Sequence, residues 1–468
     1  MFLLRHLTSA CVFLASKCLP DSFVLVALLS FVVFVLVYCL TGQDASSVIS
    51  SWGNGAWTLL GFSMQMALIL VLGQALASAK LVQKLLKYLA SLPKGYYTAL
   101  WLVTFLSLIA NWINWGFGLV ISAIFAKEIA KNVKGVDYRL LIASAYSGFV
   151  IWHGGLSGSI PLSVATQNES LSKISAGVIE KAIPISQTIF SSYNLIIIGI
   201  ILVGLPFLMA MIHPKKEEIV EIDSKLLKDE YKEIELIDHQ QDKTIAHFLE
   251  NSALLSYLLV FLGFGYLGIY FFKGGGISLN IVNTIFLFLG ILLHKTPLAY
   301  VKAINHSARS VAGILLQFPF YAGIMGMMAS HSVGGHSLAQ MLSLAFTHIA
   351  NEKTFALMTF LSAGIVNIFI PSGGGQWAIQ APIMLPAGQS LGVDPGVVSM
   401  AIAWGDAWTN MIQPFWALPA LAIAGLGAKD IMGYCVLTLI FVGLVVCGVF
   451  YFWCEFFLCL KPCSFQWG

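Results

Sequence analysis

Predominantly apolar stretches without a charged residue run from Ser22 to Leu40, Trp57 to Ala77, Pro184 to Met211 and Ser252 to Phe272. Each run reaches the roughly 20 residues that an α-helix needs to cross a hydrocarbon core of ~30 Å. The runs are continuous rather than alternating, which predicts helices and argues against a transmembrane β-barrel. Other apolar stretches are too short. Tyr96 to Ala110 offers about 22 Å of helix at 1.5 Å per residue before "NWINWGFG" at 111 to 118, and a second apolar run then continues to Ile129. The economical arrangement is a re-entrant hairpin that turns at Asn111 to Gly118 and leaves on the side it entered.

"IFIPSGGGQWAIQAP", residues 368 to 382, has the same geometry. Thr354 to Ile370 gives about 25 Å of helix and Gln376 to Gly388 about 20 Å. Pro371 with Gly373, Gly374 and Gly375 forms the expected turn between them. Irregular backbone at membrane depth is tolerated only where protein buries it or a water-filled cavity meets it. The glycines also let backbone N–H groups approach a ligand at φ values closed to other residues.

The two hairpins belong to a longer correspondence. "DYRLLIASAYSGFVIWHGGLSGSIP" starts at Asp137 and "DPGVVSMAIAWGDAWTNMIQPFWALP" at Asp394, so that Asp137 meets Asp394 and Gly148 meets Gly405. Upstream, Asn111 meets Asn367 at nearly the same offset. The order span, span, short surface helix, hairpin, interrupted helix, span occurs at 22 to 211 and again at 278 to 456. One span lies between the copies, and an odd insertion inverts whatever follows it.

The expected fold is therefore an all-α polytopic membrane protein of two inverted-topology repeats, each with a re-entrant hairpin and a broken helix. The first repeat covers 1–211, with its hairpin at 96–133 and broken helix at 138–166. A charged cytoplasmic loop at 212–250 and a linking span at 251–272 follow. The second repeat and tail cover 278–468, with the hairpin at 354–388 and the broken helix at 394–427.

Composition agrees, since 58% of residues are hydrophobic and 10% charged, with a mean hydropathy of +0.85 that lies outside the soluble range. The positions of the charges orient the chain. Lys80, Lys84, Lys87 and Lys94 form one basic cluster and Lys127, Lys131, Lys134 and Arg139 another. With the N-terminus cytoplasmic, 20 of the 25 Lys and Arg fall inside, leaving Lys173, Lys181, Lys273, Lys353 and Lys461 outside, as the positive-inside rule requires. Arg5 and Lys17 precede Ser22 to Leu40, which is too long for a signal-peptide core and reads as a retained first span. His213 to Leu249, with six lysines and ten acids, reads as a solvated linker. The eight cysteines have no metal-ligand spacing, and Cys454, Cys459 and Cys463 lie in the tail.

The polar groups concentrate at the breaks. The first copy supplies Asn111 and Asn114, then Trp152, His153, Gly154, Gly155, Ser157 and Ser159. The second supplies Asn367, Ser372, Gly373, Gly374, Gly375 and Gln376, then Asp406, Thr409, Asn410 and Gln413. Half-helices ending at the midplane point N–H groups and positive dipole ends at an anion, while carbonyl and side-chain oxygens suit a small cation. No Lys or Arg occurs at the breaks, which favours a single carboxylate over a multiply charged anion. Asn111, Asn114, His153, Ser157, Asn367, Ser372 to Gln376, Thr409, Asn410 and Gln413 are the candidate substrate-binding residues. An intramembrane acid is functional by default, so Asp406 is the candidate for ion coupling. Asn111, Asn367 and Asp406 are the places where Na⁺ would sit. His153 is read either as a site residue or as a cap on the broken helix. Trp112, Trp115, Trp377, Trp404 and Trp408 either wall an apolar pocket or pack the bundle.

The stretch from Ile370 to Leu421, "IPSGGGQWAIQAPIMLPAGQSLGVDPGVVSMAIAWGDAWTNMIQPFWALPAL", together with "NWINWGFGLV" and "WHGGLSGSIPL", resembles the bacterial short-chain fatty acid transporter family. The resemblance runs from the "LPDSFVLVALLSFVVFVL" segment onward. It implies uptake of small monocarboxylates such as acetoacetate, butyrate or acetate across the bacterial inner membrane, without a cofactor. It also implies kinship with an ion transporter superfamily whose sodium–dicarboxylate symporters use opposed hairpins and an elevator movement. Those proteins have Ser-Asn-Thr hairpin tips. Asn111 and Pro371 to Gly375 depart from that pattern, so H⁺ and Na⁺ both stand as coupling cations.

On this reading the protein is a secondary active transporter, not an enzyme, and its partners are the carboxylate, the cation and the bilayer, with no nucleic acid. Its scaffold spans, Ser22 to Ala77 and Ser278 to Ala329, would form a homodimer. A sodium-coupled symporter or exchanger of other carboxylates is the alternative. An intramembrane enzyme is more remote, since it would need a nucleophile with a base in reach and no inverted repeats.

Overall fold

The computed structural model describes residues 2–18, 20–167, 169–223, 244–276 and 278–460, and every regular element among them is helical. The first half consists of α1 (Phe2–Cys18), α2 (Ser22–Leu40), α3 (Ala45–Gly55), α4 (Leu60–Ser78), α5 (Lys80–Ala90), α6 (Tyr96–Ile113), α7 (Trp115–Asn132), α8 (Tyr138–Ser147), α9 (Ser159–Ala165), α10 (Glu169–Ile174) and α11 (Ser192–Met211). The short α12 (Ile245–Glu250) and the apolar α13 (Ala253–Phe272) lead to the second half. There follow α14 (Leu279–His294), α15 (Pro297–Ser307), α16 (Ala312–Ala329), α17 (Leu338–Thr347), α18 (Phe355–Phe369), α19 (Gly373–Ser390), α20 (Pro395–Thr409), α21 (Pro414–Ala424) and α22 (Ala428–Leu460). Among the described residues seven helical segments are long and apolar enough to cross a membrane.

Burial separates a centre from a periphery. The Tyr138–Ala165 segment is 94% buried, whereas Ser22–Leu40 is 17% and Ala253–Phe272 22% buried. The interrupted helices thus form the core, and α2 and α13 present apolar side chains outward, as membrane-facing helices do.

Each interruption is built from local signals. Asp137 and Asp394 cap α8 and α20, accepting backbone N–H groups from Leu140 and from Gly396 and Val397. Both helices tighten into 3₁₀ turns, Gly148–Gly154 and Asn410–Ile412, before they break. Pro414 then opens α21, where its missing N–H costs nothing. In the hairpins, α6 and α7 are joined by the single residue Asn114, which is narrower than the expected turn at 111 to 118 because α6 continues to Ile113. The second hairpin turns at Ile370, Pro371 and Ser372.

The glycine run departs from expectation. Gly373, Gly374 and Gly375 form the first turn of α19, capped by the Ser372 hydroxyl on the Gly375 N–H. None of the three has positive φ. The tips nevertheless share one backbone conformation, with φ −153° and ψ 118° at Asn114 and φ −153° and ψ 108° at Ser372.

Gly148 and Gly405, which the sequence offset pairs, both sit at close helix crossings. A methyl group on Gly148 would lie 2.6 Å from the Ser107 carbonyl carbon, and one on Gly405 would lie 2.8 Å from the Gly364 nitrogen and against the Phe360 carbonyl oxygen. Equivalent glycines thus admit the equivalent hairpin helices, α6 onto α8 and α18 onto α20. Contacts between the halves also occur in exchanged pairs. Thus α3 packs on α16 as α15 packs on α4, α2 on α16 as α14 on α4, and α7 on α21 as α19 on α9.

At one end, the chain beyond α11 docks beside α8. The buried Asp137 accepts from Val220 N–H and from Arg139, and Asp137 N–H donates to His213 Nε2. Most of the charged-loop expectation, residues 224–243, lies outside the described residues. So do Cys463 and the side chains of Cys454 and Cys459. Cys11, Cys39, Cys435 and Cys447 are free thiols.

Forcing a side chain into a packed crossing typically costs about 1–3 kcal/mol. Gly405→Ala should therefore lower the melting temperature of the detergent-solubilised protein. Gly199→Ala, where a methyl group meets nothing within 4 Å, should leave it unchanged or raise it slightly. Equal melting temperatures for both variants would refute the close-crossing account.

Candidate functional site

The breaks of the two halves meet at His153. This side chain ends the first 3₁₀ turn and is fully buried. Its Nδ1 lies 2.9 Å from the Ala403 carbonyl oxygen of α20, and because a carbonyl only accepts, Nδ1 carries a hydrogen. The same nitrogen is 3.4 Å from Asp406 Oδ1. Nε2 is 2.8 Å from Ser159 Oγ at the first turn of α9. A methyl group on Gly373 would lie 2.6 Å from His153 Nε2 and against Ser159 Oγ. The first helical residue of the second hairpin therefore rests its backbone on the imidazole, and glycine is required there for space. Gly374 beside it is exposed and would meet nothing within 4 Å. The expectation that the run exploits special φ values is thus corrected to a close approach at Gly373.

Asp406, fully buried on α20, accepts a hydrogen bond of 3.3 Å from Asn410 Nδ2 at Oδ1. Its Oδ2 has no hydrogen-bond partner. Asn367, on the last turn of α18, donates through Nδ2 to the Asp406 carbonyl at 2.7 Å, with Thr409 Oγ1 at 3.0 Å and Asn410 Oδ1 at 2.8 Å. Gln413 Nε2 donates to the Asn367 carbonyl, and Gln376 Nε2 to the Ala363 carbonyl at 2.8 Å. These carbonyl acceptors fix the orientation of each amide, because only its nitrogen can face them. The amide oxygens of Asn367, Gln376 and Gln413 are then acceptors without donors, like Asp406 Oδ2. A buried group left so costs about 1–3 kcal/mol, and the amide oxygen of Asn111 shares that condition.

The first-copy candidates gather on the other side of the break. Asn114 caps α7 through the Phe117 N–H at 3.0 Å. Ser157 Oγ accepts from Trp115 N–H at 3.0 Å, and Leu156 N–H donates to the Trp112 carbonyl at 2.7 Å. Asn111 donates to the Ser107 carbonyl at 2.8 Å. Its contacts are with its own hairpin, whereas Asn367 joins Asp406, so the two equivalent asparagines have different roles. Trp115, Phe149, Trp152 and Trp416 form an aromatic cluster with ring centres 5.3 to 6.2 Å apart.

Of the other candidate tryptophans, Trp404 donates to Asn194 Oδ1 and Trp408 to the Leu439 carbonyl. Trp377 is buried in α19. Those two indole bonds are packing bonds within the bundle. Sequence reasoning missed Asn194, which ties the first break to α20 by donating to the Gly154 carbonyl at 3.0 Å. The available signal was an amide inside the apolar run from Pro184 to Met211. It also missed Tyr146, whose hydroxyl donates to the Asn410 carbonyl.

The family model described as "Short chain fatty acid transporter" matches residues 3–453. A protein of Escherichia coli (strain K12) is 48% identical over 435 residues, covering 92% of this chain and 95% of its own length. One of Haemophilus influenzae (strain ATCC 51907 / DSM 11121 / KW20 / Rd) is 47% identical over 429 residues, covering 91% and 94%. Both carry the name "Putative short-chain fatty acid transporter". Among solved structures, the YdaH transporter of Alcanivorax borkumensis aligns over 94% of this chain and 99% of its own, at 15% identity and a TM-score of 0.44.

The contact at Gly373 yields a paired test. Gly373→Ala should reduce activity at least tenfold while the protein still inserts and purifies, since the methyl group must displace His153 or Ser159. Gly374→Ala, which adds its methyl group where no protein atom lies within 4 Å and keeps its N–H, should lose much less. Equal activity in the two variants would show that the tip does not depend on this contact.

Proposed function

We propose that this chain, which belongs to the short-chain fatty acid transporter family, is a secondary active transporter that takes up small monocarboxylates with a proton. Acetate, butyrate and acetoacetate are the expected substrates. The carrying observation is Asp406, buried 3.4 Å from His153. It is the only acid in the paired breaks, where no Lys or Arg occurs. An ionised carboxylate at such a place is unfavourable by about 3 kcal/mol in insertion experiments. A proton on the pair removes that cost, and a monocarboxylate plus H⁺ carries no net charge across the membrane.

In this mechanism the substrate carboxylate meets the half-helix ends at Asn114, Ser157 and Ser372 to Gly375, and its alkyl tail lies toward the aromatic cluster. Movement of the second hairpin tip away from His153 would open the pair to one side. The two hairpins and interrupted helices would travel together against the α2–α4 and α14–α16 scaffolds as an elevator, in a homodimer. The exchanged packing pairs within the chain support a two-fold relation between its two halves. The inner membrane, with the N-terminus cytoplasmic, is the expected setting, in keeping with the lysine-rich base of the first hairpin.

One observation favours sodium as the second reading. The partnerless oxygens of Asn367, Gln376, Asp406 and Gln413 are the hard donors that Na⁺ prefers. Uptake of labelled acetate, butyrate and acetoacetate into proteoliposomes under imposed proton and sodium gradients in turn separates the two. Accumulation driven by the proton gradient alone is expected. Sodium-driven accumulation would replace the proton reading, and conversion of the substrate would replace transport altogether.

Neutralising the acid gives a sharper test. Asp406→Asn should lose proton-driven accumulation yet keep substrate exchange, because the amide resembles the protonated acid. Parental accumulation by this variant under both gradients would remove Asp406 from the mechanism.

Topology is tested by labelling. In a background without native cysteines, single cysteines at Lys94 and Lys134 should react with an impermeant reagent from the cytoplasmic side, and those at Lys353 and Val393 from outside. Opposite-side labelling of the two ends of either hairpin would contradict the re-entrant arrangement.

A further inference from the structure

Helix α2 is long and apolar enough by itself to cross a membrane, and only 17% of it is buried. Between α2, α3 and α16 lies a cavity of about 300 Å³. Its walls include Ser30 and Phe31 of α2, Ile49 and Trp52 of α3, and Phe320 and Met327 of α16. The glycines explain why this space exists. A methyl group on Gly55 would lie 2.8 Å from the Ala322 carbonyl oxygen, and one on Gly323 would lie 2.6 Å from Trp52 Nε1. Helix α3 is thus drawn onto the backbone of α16. Helix α2 packs on α16 as well, and no side chain fills the wedge between α2 and α3.

The chemistry of the walls decides what can enter. Ser30 turns its hydroxyl back to the Val26 carbonyl at 2.9 Å, and Trp52 Nε1 is buried against Gly323. The cavity therefore presents almost no hydrogen-bonding surface, and water, which needs about two to four polar partners, finds none. An empty cavity would forfeit dispersion contacts along all of its walls. Position decides the occupant. Ser30 and Phe31 lie at the middle of the 19-residue α2, which is roughly 15 Å from either edge of a hydrocarbon core. Phe31 and Ile49 are also 72 and 59% exposed, so the mouth opens on the outward apolar surface that carries Leu28 and Val35. What meets that surface at that depth is lipid hydrocarbon.

We propose that this cavity binds the acyl chain of a membrane lipid, which enters past Phe31 and Ile49 and lies against Trp52, Phe320 and Met327. The volume far exceeds the ~30 Å³ that one water takes up in the liquid, so a length of chain fits rather than a single methyl group. The site depends on α2 crossing the membrane and not on the transport chemistry, so its test does not read transport.

The protein is reconstituted with phosphatidylcholine that carries a diazirine near the end of one acyl chain, irradiated, and mapped for labelled residues by mass spectrometry. Labelling is expected at Trp52, Phe320 or Met327 as well as at outward residues such as Phe261 of α13. Phosphatidylcholine with the diazirine on its headgroup should leave the three wall residues unlabelled. Labelling of outward residues alone would overturn the proposal, whether the space is then empty or filled by a side chain of a second copy. Headgroup labelling of the walls would overturn it too. Ser30→Phe fills the cavity from the α2 side and should lose the labelling of Phe320 and Met327 while that of Phe261 persists. Ser30→Ala should keep both. Undiminished wall labelling in Ser30→Phe would place the lipid elsewhere, and if that variant fails to fold, the labelling pattern of the parent protein still decides.

Discussion

A helix that stops inside a hydrocarbon slab leaves up to four N–H or four C=O groups without intrahelical partners, and lipid offers none in return. The same accounting applies in a protein interior, and four segments of this molecule stop in its buried core. Every observed stop has a local answer. Asn114 and Ser372 cap the hairpin helices with their own side chains. Leu156 N–H and the Gln413 amide donate back to the carbonyls of Trp112 and Asn367 at the ends of the preceding hairpin helices. Pro414 begins its half-helix without an N–H to satisfy. Such groups must be enclosed by protein, which explains why the interrupted segments are the most buried part of the chain and the continuous spans lie outside them.

Enclosure requires close approach, and close approach explains the glycines more economically than flexibility does. Gly148 and Gly405 let the hairpin helices cross the interrupted ones, while Gly154 and Gly155 admit Trp404, Asn194 and the Trp112 backbone. Gly373 completes the set by bringing the second hairpin onto His153 and Ser159. The result joins groups from both halves into one polar centre: Ser159 and His153 from the first, Gly373, Asp406, Asn410 and Asn367 from the second. The centre leaves four acceptor oxygens without donors.

The two halves are alike in architecture and different in chemistry. Asp137 and Asp394 perform the same capping task at equivalent positions. Asn111 and Asn367 are equally equivalent, yet one holds its own helix and the other holds the Asp406 segment. Similar backbone thus carries different side chains in the two halves, and the polar groups they present to the centre differ.

The apolar spans and the places where helices stop, near Asn114, Gly154, Ser372 and Gln413, were legible in the sequence. Length against bilayer thickness, capping acids and clusters of Gly, Pro and Asn are local properties that one dimension records. Local signals also set the limits of that reading. The turn of the first hairpin contracts to Asn114, and the glycine run becomes helix, because neighbouring helices supply the enclosure that turn propensity cannot anticipate. Which polar groups meet was decided only by the tertiary structure. His153 and Ala403 are 250 positions apart, and their contact follows from how α6, α18 and α20 cross. Asn194 looked like one amide in a greasy run until it was seen bridging Gly154 and Trp404. The sequence by itself determined where the chain must break, because hydrophobic length is additive along it. Folding determined what the breaks face, because that depends on the packing of segments hundreds of residues apart.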